Sequence, residues 1–274
     1  MPCSHVAWGS EASVTYLDAI VSHHRARAAA DDRPEGELRE RAVAMPATRG
    51  FASSLQRTSA DSMAVIAEIK RRSPSKGFLF GDGDAAALAR EYETAGAACL
   101  SVLTDENHFG GSPDDLGTAR RVTGLPVLRK DFTVSRRDVY DARLMGADCV
   151  LLIAAALSTD ELVEFASVAR EIGMDALVEI HDEVEIDAAV RAGTGLIGVN
   201  QRDLVTFAVD HERAVRLGSL LPRDVVRVAE SGVRGGDDSR RLRSAGYQAV
   251  LVGESLVTSP NRGHLLAELR LAVP

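Results

Sequence analysis

The sequence predicts an α/β fold: a single (β/α)8 barrel of the TIM type, with extra helices at its N-terminus. Three observations predict it. From residue 63 onward, eight short apolar runs of strand length alternate with eight longer amphipathic segments. Gly closes many of those segments just before the next run, in "AGA", "MGAD", "IGMD", "AGTG" and "AGYQ", as a helix C-cap does. The turn after the first run, "RRSPSKGFLFGDGD", lacks the G-x-G-x-x-G of a doubly wound dinucleotide-binding sheet. Near-continuous apolar strands between helices mark a parallel sheet covered on its outer face, and eight units are the count that closes.

Residues 14–60 precede the first run. "VTYLDAIVSHHRARAAADD" has helical spacing, with Tyr16, Ile20 and Val21 about one turn apart, and a second helix is expected within 35–57. These helices are expected to plug or cap a barrel that, with them, fills 14–274 as one domain. Residues 1–13 are expected to be a mobile extension. The strands are then expected at 63–70, 99–105, 126–132, 149–155, 175–180, 196–201, 226–231 and 249–255. Their helices are expected near 84–96, 113–122, 135–146, 158–173, 182–193, 210–219, 235–246 and 260–272.

Composition narrows the function. With 45% hydrophobic and 26% charged residues, a 274-residue chain can bury a substantial core. A net charge of −8 argues against a nucleic-acid or membrane-surface binder, since phosphate-rich partners favour basic patches. An anionic small molecule remains compatible if cations gather locally. Cys3, Cys99 and Cys149 make neither a disulfide framework nor a metal spacing, and the last two read as reduced core thiols. The longest apolar run, "CVLLIAAAL", is far shorter than the roughly 20 residues that span a bilayer. Without a signal-peptide pattern in "MPCSHVAWGSEAS", a cytoplasmic protein is expected.

Barrel enzymes build their sites from the C-terminal ends of the strands. Those ends carry Glu68 and Lys70, Lys130, Glu179, Asn200, and Glu230 with Ser231. Alternation along a strand puts Glu68 and Lys70 on one side. One charged residue at a strand end is ordinarily a surface group, but lysines, glutamates and an asparagine at five corresponding ends point to a shared mouth. Asp105 stands among these ends as their weakest member, since "TDENHFGGS" also reads as a solvated loop. Arg71 and Arg72 read as solvated flanks or as a local positive field in an acidic protein. The last two turns, "AESGVRGG" and "LVGESL", place Ser and Gly where backbone N–H groups can face an anion, and barrels frequently hold a phosphate there. Ser73 adds a hydroxyl, Pro74 stiffens its turn, and Lys76 lies on a loop placed to cover a ligand.

The strings "AEIKRRSPSKG", "SVLTDENHFGGS", "VLRKDF", "VLLIAA", "LVEIH", "IGVNQRDL", "VAESGV" and "VLVGESL" resemble the indole-3-glycerol phosphate synthases of tryptophan biosynthesis. The resemblance runs through all eight units and includes the helix near 16–30. It does not include "MPCSHVAWGSEASV". It implies closure, decarboxylation and dehydration of 1-(2-carboxyphenylamino)-1-deoxyribulose 5-phosphate, with no cofactor, by a carboxy-lyase that is often monomeric. It implies Lys130 as the acid that protonates the ketone. Lys70 is the partner of the substrate carboxylate, Glu179 the base and Glu68 the orienting carboxylate. Asn200 and Glu230 hold the sugar hydroxyls and the lysines, and Arg202 is another site-lining position. It further implies an aromatic-ring wall of Phe109, Phe132 and Leu151. The phosphate falls to Ser73 and the backbone at Ser231, Gly232, Gly253 and Glu254, with the acidic side chain of Glu254 turned away. Three alternatives stand beside it: another phosphate-binding barrel acting on an aminated sugar phosphate, a Schiff-base aldolase in which Lys130 or Lys70 attacks a carbonyl as a neutral amine, and a silent paralogue serving as a binding subunit.

Overall fold

The computed structural model describes residues 15–73, 76–80, 83–203 and 208–270. The expectations for residues 1–13 and for Pro74 lie outside these residues. Eight parallel strands close a barrel: β1 (Ala64–Ile69), β2 (Cys99–Leu103), β3 (Val127–Lys130), β4 (Cys149–Ile153), β5 (Asp175–Ile180), β6 (Leu196–Asn200), β7 (Val226–Glu230) and β8 (Ala249–Val252). Each strand pairs with its sequence neighbour, and β1 joins β8 with Ala64 opposite Ala249. Register brings the strand ends level, with Ile153 opposite Glu179 and Asn200 opposite Glu230.

The strands stop one to three residues before several of the expected ends. The residues beyond turn away from the ladder to form the mouth. A two-residue hairpin, Arg72–Ser73 against Gly77–Phe78, stands in the loop after β1.

The apolar residues divide into two layers, as strand alternation requires. Val65, Ala67, Leu100, Val102, Val150 and Leu152 face the helices. Ile66, Cys99, Leu128, Cys149, Leu177, Val228 and Leu251 fill the barrel. Cys99 and Cys149 are free and buried, and burial pushes their thiols up, so they behave as inert core residues.

The outer ring comprises α4 (Ala85–Thr94), α6 (Pro113–Val122), α7 (Arg136–Leu144), α8 (Thr159–Glu171), α9 (Ile186–Ala192), α10 (His211–Gly218), α11 (Gly236–Ser244) and α13 (Arg262–Arg270). The short α5 (Glu106–Phe109) and α12 (Glu254–Val257) lie in the loops after β2 and β8. Sequence chemistry sets the starts. Ser158 and Glu161 form a capping box on α8, and Ser112 caps α6 with Pro113 in its first turn.

The N-terminal segment contains three helices, not two: α1 (Tyr16–Ala29), α2 (Glu35–Val43) and α3 (Phe51–Ser59). The expected helix within 35–57 is broken by "MPATRG", whose Arg49 donates its backbone N–H to the buried carboxylate of Asp148 at 2.8 Å. Helix α3 closes the N-terminal end of the barrel. Phe51 and Leu55, both fully buried, join the interior cluster with Ile66, Cys99 and Leu177. The backbone N–H of Ala52 is held by Asp175 at 2.9 Å. Helix α1 lies at the opposite end, over the mouth. Among the described residues no helix is long and apolar enough to cross a membrane.

Leu55→Ala should destabilise the fold by about 2–5 kcal/mol, as expected for a cavity left at a filled barrel end. Urea unfolding measures it, and a loss below about 1 kcal/mol would show that α3 is not a plug.

Candidate active site

The mouth is one pocket lined from every side of the barrel. Glu68, Lys70, Ser73, Phe109, Lys130, Phe132, Leu151, Glu179, Asn200, Arg202, Glu230, Ser231, Gly232, Gly253 and Glu254 all reach it. Tyr16, Leu17 and Ile20 of α1 complete its wall. The sequence had suggested only that this helix plugs or caps the barrel.

Two lysines, each paired with carboxylates, occupy its floor. Lys70 Nζ lies 2.8 Å from Glu68 Oε1, and Ser101 Oγ donates to Glu68 Oε2 at 3.4 Å. Lys130 Nζ donates to Glu179 Oε2 at 2.6 Å and lies 3.2 Å from Glu230 Oε2. Asn200 Nδ2 donates to Glu179 Oε1 at 3.1 Å, and its own Oδ1 accepts the Arg202 backbone N–H at 3.0 Å. His181 Nε2 lies 3.4 Å from Glu179 Oε1. Neither Glu230 oxygen accepts a directed hydrogen bond, though both are buried.

Protonation follows from this crowding. Burial opposes the Lys130 ammonium, but Glu179, Glu230 and Glu68 outweigh it and raise its pKa above the ordinary 10.5. Burial also opposes the Glu179 carboxylate, yet Lys130 and His181 beside it, with hydrogen bonds from Lys130 and Asn200, bring its pKa down. Glu230 goes the other way. Burial raises it, Lys130 pulls it back only in part, and the neighbouring Glu179 pushes it further up. Of two carboxylates sharing one ammonium, one stays ionised and the other holds its proton more tightly.

Two glycines make room for these groups. A Cβ on Gly198 would sit 2.1 Å from Glu230 Oε1, and one on Gly253 would sit 2.3 Å from Glu68 Oε1. Gly198 was not marked as a site residue in the sequence, because a glycine inside a strand carries no chemistry to read.

One side of the pocket carries a left-handed backbone turn. Ser231 holds φ +66°, the only left-handed non-glycine among the described residues, and Gly232 follows at φ +73°. Gln201 Nε2 donates to the Ser231 carbonyl at 2.7 Å and holds the turn in place. Across it, Ser73 Oγ accepts from Lys76 N at 3.2 Å. The Glu254 carboxylate pairs with Lys76 at 2.7 Å, so it is drawn onto the loop after β1. The other side is aromatic. Phe109 and Phe132 have ring centroids 6.3 Å apart and tilted by 32°, with Leu151 beside them.

Three sequence expectations fail in this region. Asp105 is not a solvated loop residue: it is 5% exposed, caps α5 through the His108 and Phe109 amides, and meets His24 at 2.9 Å. Burial alone would raise its carboxyl, but these bonds bring it well below the usual carboxylate range. Its cover comes from α1, 81 residues away in sequence, so no local pattern reveals it. Arg71 is no solvated flank either, because it clamps Asp115 with Nε at 2.7 Å. Arg72 donates to the carbonyls of Asn107 and His108 and ties the loop after β1 to α5.

Ser231→Gly should raise stability by about 0.5–1 kcal/mol, since a left-handed Ser costs roughly 1–2 kcal/mol and glycine returns part of that as unfolded-chain entropy. Thermal unfolding checks it, and a lowered Tm would mean that the turn is unstrained.

The comparisons with known proteins agree on one family. A family model described as indole-3-glycerol phosphate synthase matches residues 17–269. An indole-3-glycerol phosphate synthase of Chloroherpeton thalassium is 44% identical over 90% of this chain and 96% of its own length. The protein named indole-3-glycerol phosphate synthase 2 in Streptomyces coelicolor is 49% identical over 84% of this chain and 88% of its own. Among solved structures, a 3-hexulose-6-phosphate synthase superposes with a TM-score of 0.62 over 77% of this chain and 100% of that one, at 13% identity. A thiamine phosphate pyrophosphorylase from Pyrococcus furiosus gives 0.57 over 77% and 95%, at 15% identity. These structural likenesses concern the barrel alone. With its full set of eight units inside the matched span, the chain belongs to the indole-3-glycerol phosphate synthase family.

Proposed function

We propose that this chain converts 1-(2-carboxyphenylamino)-1-deoxyribulose 5-phosphate to indole-3-glycerol phosphate, carbon dioxide and water. The observation that carries the proposal is Lys130, an ammonium fixed between two buried carboxylates in a pocket with an aromatic wall and an anion-binding turn. The substrate has the matching parts: an aromatic ring with a carboxylate, a ketone, and a phosphate.

The phosphate sits on the Ser231–Gly232 turn and the Gly253–Glu254 backbone, with the Ser73 hydroxyl beside it. The ring lies against Phe109, Phe132 and Leu151, and Lys70 pairs with its carboxylate. An anilino ring is a weak carbon nucleophile, so the C2′ ketone must be polarised as the bond forms. Lys130 protonates that oxygen while the ring carbon bearing the carboxylate attacks C2′. Loss of carbon dioxide then returns the electron pair to the ring and restores aromaticity. In the last step the ring nitrogen expels the C2′ hydroxyl, Lys70 protonates it as water, and Glu179 takes the C1′ proton. Glu68 orients Lys70. Asn200, Arg202 and Glu230 hold the sugar hydroxyls and keep the lysines placed. The raised pKa of Lys130 keeps it protonated, so the proton is in place to be given; it argues against a Schiff-base role, which needs a neutral amine.

Only proton transfers and bond rearrangement are needed, so no cofactor enters the reaction. Because one chain supplies every group, the enzyme is proposed to act as a cytoplasmic monomer on a small anionic sugar phosphate, with no nucleic-acid partner.

Lys130→Met should lower kcat by at least about 1,000-fold while inorganic phosphate still binds. Glu179→Gln should cut kcat at least about 100-fold with little change in KM. Appearance of indole fluorescence reads both, and a near-wild-type rate in either variant would remove that residue from its role.

The pH profile gives a separate check. Lys130 keeps its proton to above the ordinary lysine value of 10.5, so it does not set an alkaline limb below that. Glu230, raised by burial, loses its proton earlier and adds a negative charge to a pocket that must accept an anion. The kcat/KM should therefore fall as pH rises through the Glu230 pKa, and Glu230→Gln should flatten that limb. A limb unchanged in the variant would assign it elsewhere.

A further inference from the structure

Helix α1 lines the pocket, yet little apolar surface fastens it there. Of its residues only Ile20 and His24 are buried. Its other links, Arg25 to Glu161 and the Ala156 carbonyl, Arg27 to Asp138 and His23 to Asn107, start from exposed side chains, and such pairs contribute little. His24 is different. It is 1% exposed, and Nε2 lies 2.9 Å from Asp105 Oδ2. The Arg27 guanidinium stands 3.2 Å from the other ring nitrogen. A guanidinium only donates, so Nδ1 accepts and Nε2 carries the proton given to Asp105.

Asp105 in turn accepts the His108 amide at 2.6 Å and the Phe109 amide at 3.3 Å, which fixes α5 and with it the Phe109 ring. The His24 ring also packs on Phe132, centroids 5.3 Å apart. One imidazole therefore touches the covering helix, the cap of the loop that bears Phe109, and the second ring of the wall.

We propose that His24 is a positioning residue: its bond to Asp105 seats α1 and α5 against one another and so sets the affinity for the aromatic end of the substrate. The proposal rests on the functional reading above for the identity of that substrate. His24 lies outside the proton-transfer groups on the floor, so its loss falls on binding and not on chemistry.

The test is steady-state kinetics of the full chain with His24→Ala, His24→Gln, Asp105→Asn and the double variant His24→Ala/Asp105→Asn. Amide hydrogen exchange of residues 16–29 and binding of inorganic phosphate accompany it. Asn remains a helix cap, so Asp105→Asn removes the charge without removing the α5 start. His24→Ala should raise KM about ten- to a hundredfold, the range of a lost hydrogen bond to a charged group, with kcat within about twofold. Exchange in α1 should speed up, and phosphate affinity should stay unchanged. His24→Gln, whose amide can still donate, should recover part of the loss and guards against a misfolded alanine variant. The double variant should be little worse than either single one, because the two residues act as one unit. Unchanged KM and unchanged α1 exchange in His24→Ala would overturn the proposal, as would single effects that simply multiply. A wild type that fails to turn over the substrate would overturn the functional reading instead, while α1 exchange still reports on His24.

Discussion

An ammonium set into the mouth of an apolar barrel is tolerable only with carboxylates beside it, and the site is organised around that requirement. Lys130 has Glu179 at 2.6 Å and Glu230 at 3.2 Å. Removing water from a charge is costly, and only a partner in contact offsets it. For Lys130 those partners come from strands far apart in sequence. β5 and β7 each contribute one. The same reasoning explains the vacant volume at Gly198 and Gly253, where any side chain would collide with Glu230 or Glu68. The charged layer also needs a firm floor, and the filled interior from Leu128 and Leu177 down to Phe51 and Leu55 supplies it.

Crowding these charges has a chemical result. Lys130 is kept protonated, Glu179 ionised, and Glu230 reluctant to ionise, so one small cluster holds an acid, a base and a nearly neutral group. That is the set a ring closure followed by a dehydration calls for. In the proposed reaction, separate regions of the pocket deal with the two ends of the substrate, the backbone turn at Ser231 and Gly232 with its phosphate and the phenylalanine wall with its ring. Helix α1 completes the wall from outside the eight-unit repeat.

Much of this was legible in residue order. The eight strands and eight outer helices were all readable from apolar runs and glycine punctuation, with ends shifted by a few residues. The strand-end residues read from period-two alternation were those found lining the pocket, because alternation is a local property of extended backbone. Their roles in the reaction remain the proposal argued above. The misreadings share a cause. Asp105, Arg71 and Arg72 look solvated beside polar neighbours, but α1, Asp115 and the α5 carbonyls cover or bind them from distant parts of the chain.

The sequence by itself therefore determined the class of fold, the order of its elements and which residues stand at the strand ends. These follow from short-range periodicity and turn chemistry. Only the tertiary structure decided which lysine lies between which carboxylates, that His181 and Ser101 support them, that Glu254 turns to Lys76, and that a buried His24 joins α1 to the wall. Those are pairings across dozens of residues. They depend on barrel register and on how the N-terminal helices settle over its two ends, which no local pattern encodes.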